Sequence, residues 1–328
     1  VARLIMSSAT LLIYVVLVGS ITYSGALTIE TFVKARMGYD ISLWASSIFI
    51  VVVALIYVVT GGLKACAWAD LIQGSALIIA GAIIMILVFI KLGLVDEATM
   101  LVDGAVKSVP LDKGMSAWDR FWHLNTNKMS MYLPSDHPKL PWTALMVGLW
   151  IPNFYYWGLN QYITQRTLGS ASLKEGQKGI VFSAFMKLII PFVVVIPGII
   201  AFNLYYQNMQ VDGIYKSDMA LGQLIANVVP SGGLFGFTLA ALLGAVISSL
   251  AALLNAASTI FTMDIFSKYL KKDAEQSVIV LVGRLCVVTF GILAIFVSAA
   301  VLSNPKLNKG IFTVIQEVQG LISPGILA

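Results

Sequence analysis

GLWIPNFYYWGLNQYITQRTLGSASLKEGQKGIVFSAFMKLIIPF, residues 148–192, carries the reading that decides the fold. It holds two features that are unfavourable in hydrocarbon. The first is Pro152-Asn153-Phe154-Tyr155-Tyr156-Trp157-Gly158, a proline and a glycine bracketing an amide and four aromatics. Proline removes a backbone donor and glycine loosens the turn, so a helix of this composition is discontinuous where it faces the interior. Broken helices at mid-membrane mark binding sites in secondary transporters, whereas an aromatic belt at the interface would account for the same residues. The second feature is Lys187, inside an otherwise apolar run. It lies nine residues beyond Lys178, so at 1.5 Å per residue it stands roughly 13 Å deeper, near the midplane. A lysine there either snorkels back to the interface or serves a buried polar site, and its stem is short for the first.

The rest of the chain supports a membrane setting. Of 328 residues, 59% are hydrophobic and 11% charged, with a mean hydropathy of +0.89. A soluble domain carries about 25% charged residues, so this chain cannot cover a water-facing surface. The excess of 21 Lys+Arg over 16 Asp+Glu is scattered singly between apolar runs, which excludes a nucleic-acid footprint. Cys66 and Cys286 provide neither a disulfide framework nor metal-ligand spacing. The chain opens on Val1 and stops at Ala328, each in an apolar stretch, and reads as a piece of a longer membrane protein.

Counting charge-free intervals of about 20 residues predicts eight spans. They lie at 4–29, 41–63, 71–90, 140–163, 179–209, 234–263, 277–302 and 311–328, with the polar interval 91–139 as a loop with short surface helices. Pro230-Ser231-Gly232-Gly233 sets the start of the sixth. Placing the N-terminus inside puts Arg3, Lys64, Arg166, Lys174, Lys178, Lys268, Lys271, Lys272 and Arg284 on the cytoplasmic side. The short outer segments then hold Lys34, Arg36, Lys216, Lys306 and Lys309. The positive-inside rule therefore predicts a cytoplasmic N-terminus.

Further polar groups fall within the apolar intervals. Ser248 and Ser249, with Ala245 one turn earlier, offer hydroxyls and a carbonyl, hard ligands suited to Na⁺; small residues there also suit close helix packing. Asp70, at the head of the third span, reads first as an N-cap. Gln316-Glu317 is a polar pair in the eighth span. No catalytic signature is present, and His123 and His137 sit in the polar loop, which argues against an enzyme.

Residues 148–168 and 175–192 closely resemble the solute:sodium symporter family. So do VTGGLKACAWADLIQ (59–73), AALLGAVISSLAALLNAASTIFTMDI (240–265) and IQEVQGLISPGILA (315–328). The resemblance covers essentially the whole chain. It implies an all-α polytopic membrane protein of LeuT type, five plus five inverted helices, here core helices three to ten with the last cut. It further implies sodium-coupled uptake of a monosaccharide, galactose or glucose, across the inner membrane, with sodium co-transported. Another polyol such as myo-inositol, or a non-transporting sugar sensor, are the alternatives. By this resemblance Asn153, Tyr156, Lys187 and Gln316 contact the sugar. Tyr156 and Phe312 act as gates, the Ala245 carbonyl with the Ser248 and Ser249 hydroxyls binds sodium, and Asp70 lies on the sodium route. Phe154 and Val318 depart from the family's leucine and tyrosine, which leaves the preferred hexose open.

Overall fold

The computed structural model describes residues 2–327 apart from 103, 131, 137–140 and 305–309. His137, Lys139, Lys306, Lys309 and Ala328 lie outside the described residues. Among those described, five helices are long and apolar enough to cross a bilayer: Ala2–Met37, Leu43–Leu94, Leu173–Tyr205, Gly233–Leu270 and Gln276–Leu302.

Helix α1 is Ala2–Met37 and α2 is Leu43–Leu94, the latter capped by Ser42, whose hydroxyl accepts from the Ala45 amide. The second and third expected spans are both in α2, as two arms, 43–61 and 63–94, that meet at Gly62. Its φ of +55° is a conformation that residues with a Cβ rarely adopt. A Cβ on neighbouring Gly61 would come 2.2 Å from that of Ala65, so the kink is tight. Asp70 therefore stands two turns inside the second arm. The N-cap reading is corrected: no orphan amide is there for it to satisfy.

The interval after α2 also differs from expectation. Strand β1 (Glu97–Val102) pairs antiparallel with β2 (Ala105–Pro110), from Glu97↔Pro110 to Val102↔Ala105, turning at Gly104 with φ +79°. The Asp-Gly dipeptide at 103–104 between Val- and Thr-containing runs is a hairpin signal that the reading of this interval as loop passed over. Helix α3 (Ala117–Asn125) follows, capped by Ser116, with His123 exposed on it. Buried Arg120 fixes α3 to the end of α2: its guanidinium donates to the carbonyls of Leu92, Val95, Asp112 and Met115. Leu92 and Val95 sit where the helix leaves carbonyls unpaired and its dipole is negative, so a cation belongs there.

The fourth interval is a string of short pieces: a π-turn at Ala144–Gly148, α4 (Trp150–Phe154), a second π-turn at Tyr155–Leu159, and α5 (Gln161–Leu168). The Leu173–Tyr205 span comprises α6 (Leu173–Ile190), a π-turn at Pro191–Val195 and α7 (Ile196–Tyr205). It begins earlier than hydropathy suggests because Ser172 caps it, its hydroxyl accepting from the Glu175 amide. A small hairpin, β3 (Gln210–Val211) with β4 (Ile214–Tyr215), and α8 (Ala220–Val228) lead to α9 (Gly233–Ile260), which a π-helical segment extends to Leu270. Helix α10 (Gln276–Phe296) ends in a π-turn, and α11 is Ile311–Leu327.

Two cores organise these elements. One joins α1 (Ile13, Tyr14, Val18), the first arm of α2 (Ile50, Ala54), α9 (Leu250, Leu254, Ala257) and α10 (Phe290, Ala294). The other joins the second arm of α2 (Ile84, Val88, Leu92) to Phe121, Ile200, Leu224 and Ile225, so the polar interval packs on the membrane helices instead of lying free. Helix α11 packs on α1 and α4, which places Gln316 on the helix beside the broken segment.

Candidate functional site

Close approach of α2 and α9 builds the first half of the site. A Cβ on Gly244 would meet the Gln73 side chain at 3.0 Å, tight enough that the glutamine would have to give way. One turn before Gln73 is Asp70, and one turn after Gly244 is Ser248. Ser248 is buried, and its hydroxyl donates to the Ala245 carbonyl at 3.2 Å, on the helix that packs against the Asp70 arm of α2. Ser249 is half-buried on the same helix. The other side of Asp70 is closed by α5: Arg166 Nη2 stands 2.5 Å from its Oδ2, with both side chains about one quarter exposed. The Arg166 guanidinium in turn lies 5.1 Å from the centre of the Tyr162 ring. Asp70, Ala245 and Ser248 thus come together. Arg166, read from sequence only as a cytoplasmic charge, is the partner that reading missed.

The second half lies between the broken segment and α6. Lys187 is the fifteenth residue of its 33-residue span, near the middle. Its ammonium rests 3.3 Å from the centre of the Trp157 ring, a cation–π contact, instead of reaching back along the helix. Trp157 stands edge-on to Tyr156 at 5.0 Å, so Tyr156, Trp157 and Lys187 form one chain of contacts. A cavity of roughly 970 Å³ opens beside them, with Trp157, Arg166, Ser183 and Lys187 in its wall. Arg166 therefore joins the two halves. Asn153 donates to the Leu149 carbonyl of its own helix at 2.7 Å, Gln316 is half-buried and Phe312 is 70% exposed.

The helix break falls at Asn160, beyond the Pro152–Gly158 stretch that sequence singled out. Its ψ of 116° ends the π-turn, and its side chain caps α5 by accepting from the Tyr162 amide at 3.1 Å. Fully buried Tyr14, from α1, donates to the same Asn160 oxygen and accepts from the Tyr162 amide at 2.9 Å. The aromatics and the proline made the more visible signal, but an asparagine cap locked by a tyrosine 146 residues away decides the turn.

These features are those of a family. A sequence profile described as the Sodium:solute symporter family matches residues 1–328. The chain belongs to that family. Among its relatives, the sodium/glucose cotransporter of Vibrio parahaemolyticus is 36% identical over 94% of this chain and 54% of its own length. The sodium/myo-inositol cotransporter of Mus musculus is 29% identical over 93% and 43% respectively. The chain thus spans about half the length of the curated relatives it matches. A solved Na⁺-coupled sialic acid symporter, in a substrate-bound outward-open state, superposes with a TM-score of 0.72 at 24% identity, over 100% of this chain and 63% of that one. The LeuT-type all-α membrane fold expected for the chain is the fold found, and the matched relatives are cotransporters, not enzymes.

In this symporter-family chain the first turn of α11, which carries Phe312, is held from outside. The Ile311 amide donates to Asp218 Oδ2 at 3.1 Å, a cap supplied from 93 residues away. Burial holds the Asp218 carboxyl above the ordinary carboxylate range, with the Ile311 amide and Lys216 pulling the other way. A raised folded-state value means that protonation favours the fold: the contribution is full below the unfolded value and lost as pH rises through the folded one. Asp218→Asn keeps an acceptor for Ile311 without the charge. It is expected to melt at a higher temperature than the wild type at pH 8, the two converging as pH falls toward 4. A lower melting temperature for the variant at pH 8 would show the charged cap to be net stabilising.

Proposed function

We propose that the protein moves sodium and a monosaccharide, galactose or glucose, together into the cell across the inner membrane by alternating access. What supports the reading is the meeting of Asp70 on α2, Ala245 and Ser248 on α9, and Arg166 on α5, at the edge of the cavity that Lys187 also lines. Carbonyl, hydroxyl and carboxylate oxygens suit a hard monovalent cation. The amides of Asn153 and Gln316 and the Lys187 ammonium match sugar hydroxyls, and the Tyr156 ring offers a flat face to the C–H side of a pyranose. Ser249 completes the sodium set with its hydroxyl, and Phe312 closes the outer side. Sodium binding then favours the sugar-competent state through its differential affinity for the two conformations. With the N-terminus cytoplasmic, as the basic-residue bias indicates, the membrane potential drives the ion inward with about 2.3 kcal/mol per charge per 100 mV.

The test is uptake of labelled galactose into proteoliposomes under an imposed sodium gradient, with glucose and myo-inositol as competitors. Concentrative uptake that collapses without sodium is the expected result, and the competitor ranking assigns the substrate. Sugar binding without accumulation would make the protein a sensor. In the same assay Tyr156→Phe, which keeps the ring, should retain most of the uptake, whereas Tyr156→Ala should lose it. Equal rates in the two variants would reject the stacking role.

A further inference from the structure

A groove of roughly 270 Å³ lies between the second arm of α2, the α6–α7 junction, α8 and Leu242 of α9. Leu77, Ile84, Val194, Pro197 and Leu221 give it almost wholly apolar walls. The π-turn at Pro191–Val195 interrupts the regular α-helix beside it, and Gly198 has nothing within 4 Å of where a Cβ would stand. Gly198, Ser217 and Ala220 also line a second hollow whose wall includes Lys128, Phe202 and Tyr215, so the two adjoin.

The dimensions of this channel are those of a membrane leaflet. From Phe202 at one end to Ile190 at the other is twelve residues of helix, about 18 Å. Half of a roughly 30 Å hydrocarbon core is about 15 Å. The mouth lies where the apolar helix ends at Tyr205, and the stacked Tyr206 and Tyr215 rings, 5.2 Å apart, are the kind of aromatic cluster that marks an interface. Lys128 stands in that mouth, its ammonium 3.5 Å from the Phe202 ring centre. Partial burial against the Phe202 ring lowers its pKa from the ordinary lysine value, while the ammonium stays accessible to an anion. Asp218 also lines the groove, with its Oδ2 turned to the Ile311 amide. A sugar would find few partners in these walls, whereas an acyl chain fits their chemistry and Lys128 complements a phosphate.

We propose that the groove binds one anionic phospholipid, an acyl chain along Leu77, Ile84, Val194 and Leu221 and the phosphate at Lys128, in the leaflet on the side of the β1–β2 hairpin. Native mass spectrometry of the purified protein, titrated with phosphatidylglycerol or with phosphatidylcholine of the same acyl chains, tests it. The wild type should retain phosphatidylglycerol preferentially. Lys128→Gln should reduce that retention about fivefold, the effect of one basic residue at an anionic surface, and reduce phosphatidylcholine retention less, since its choline offsets the phosphate charge. Lys128→Arg should restore it. Gly198→Leu, which fills the groove from an open position, should lower retention of both lipids. Equal retention of the two lipids by the wild type overturns the proposal without any variant, and a preference that survives Lys128→Gln removes the lysine from the site.

Discussion

Asp70→Asn is expected to raise the sodium concentration for half-maximal uptake at least tenfold. The carboxylate stands 2.5 Å from Arg166, on the arm of α2 that packs against α9 where Ser248 lies. Asparagine removes the negative charge and leaves the guanidinium unopposed beside the proposed sodium ligands. Two unit charges 4 Å apart interact by about 4 kcal/mol at an effective dielectric of about 20, and a tenfold change in affinity needs only about 1.4 kcal/mol, so the effect survives considerable screening. Arg166→Gln should act with the opposite sign: the freed carboxylate holds sodium more tightly, and slower release toward the cytoplasm lowers the maximal rate. The double variant should return near the wild-type sodium affinity, because neither charge is then left alone. Sodium titrations of uptake on the four proteins check this. Unchanged sodium dependence in Asp70→Asn would make the pair a structural clasp between α2 and α5.

Lys187→Ala should weaken sugar affinity at least about tenfold in a protein that still folds. A charged donor to a hydroxyl contributes roughly 1.5–3 kcal/mol, and the same change also empties the face of Trp157. Lys187→Arg should fail to restore binding, since a planar fork does not replace a compact ammonium on that ring and in that cavity. A lysine whose purpose is to reach the interface predicts the reverse, with arginine tolerated for its longer stem. The position of the ammonium over Trp157, midway along its span, is the reason to expect the first pattern. Sugar titrations on both variants decide, and near-wild-type affinity in both would remove Lys187 from the sugar site.

The linear sequence by itself determined the solvent, the helical class and the polar side chains that stand as candidates within the spans. Long charge-free runs fix where the chain must satisfy its backbone internally. Within them, polar groups such as Lys187, Ser248 and Asp70 stand out because hydrocarbon makes them unfavourable unless they are paired. Pairing itself is a property of space. That Asp70 faces Arg166, and not an orphan amide of its own helix, follows from the kink at Gly62 and the packing of α2 on α9 at Gly244. That the fourth interval breaks at Asn160 follows from a buried hydroxyl on α1, and that α11 is capped follows from Asp218 in a loop far away in the chain. Hydropathy is summed along the chain and registers none of these contacts. Each is a short-range, directional bond between residues that only packing brings together, so the tertiary structure alone decided them.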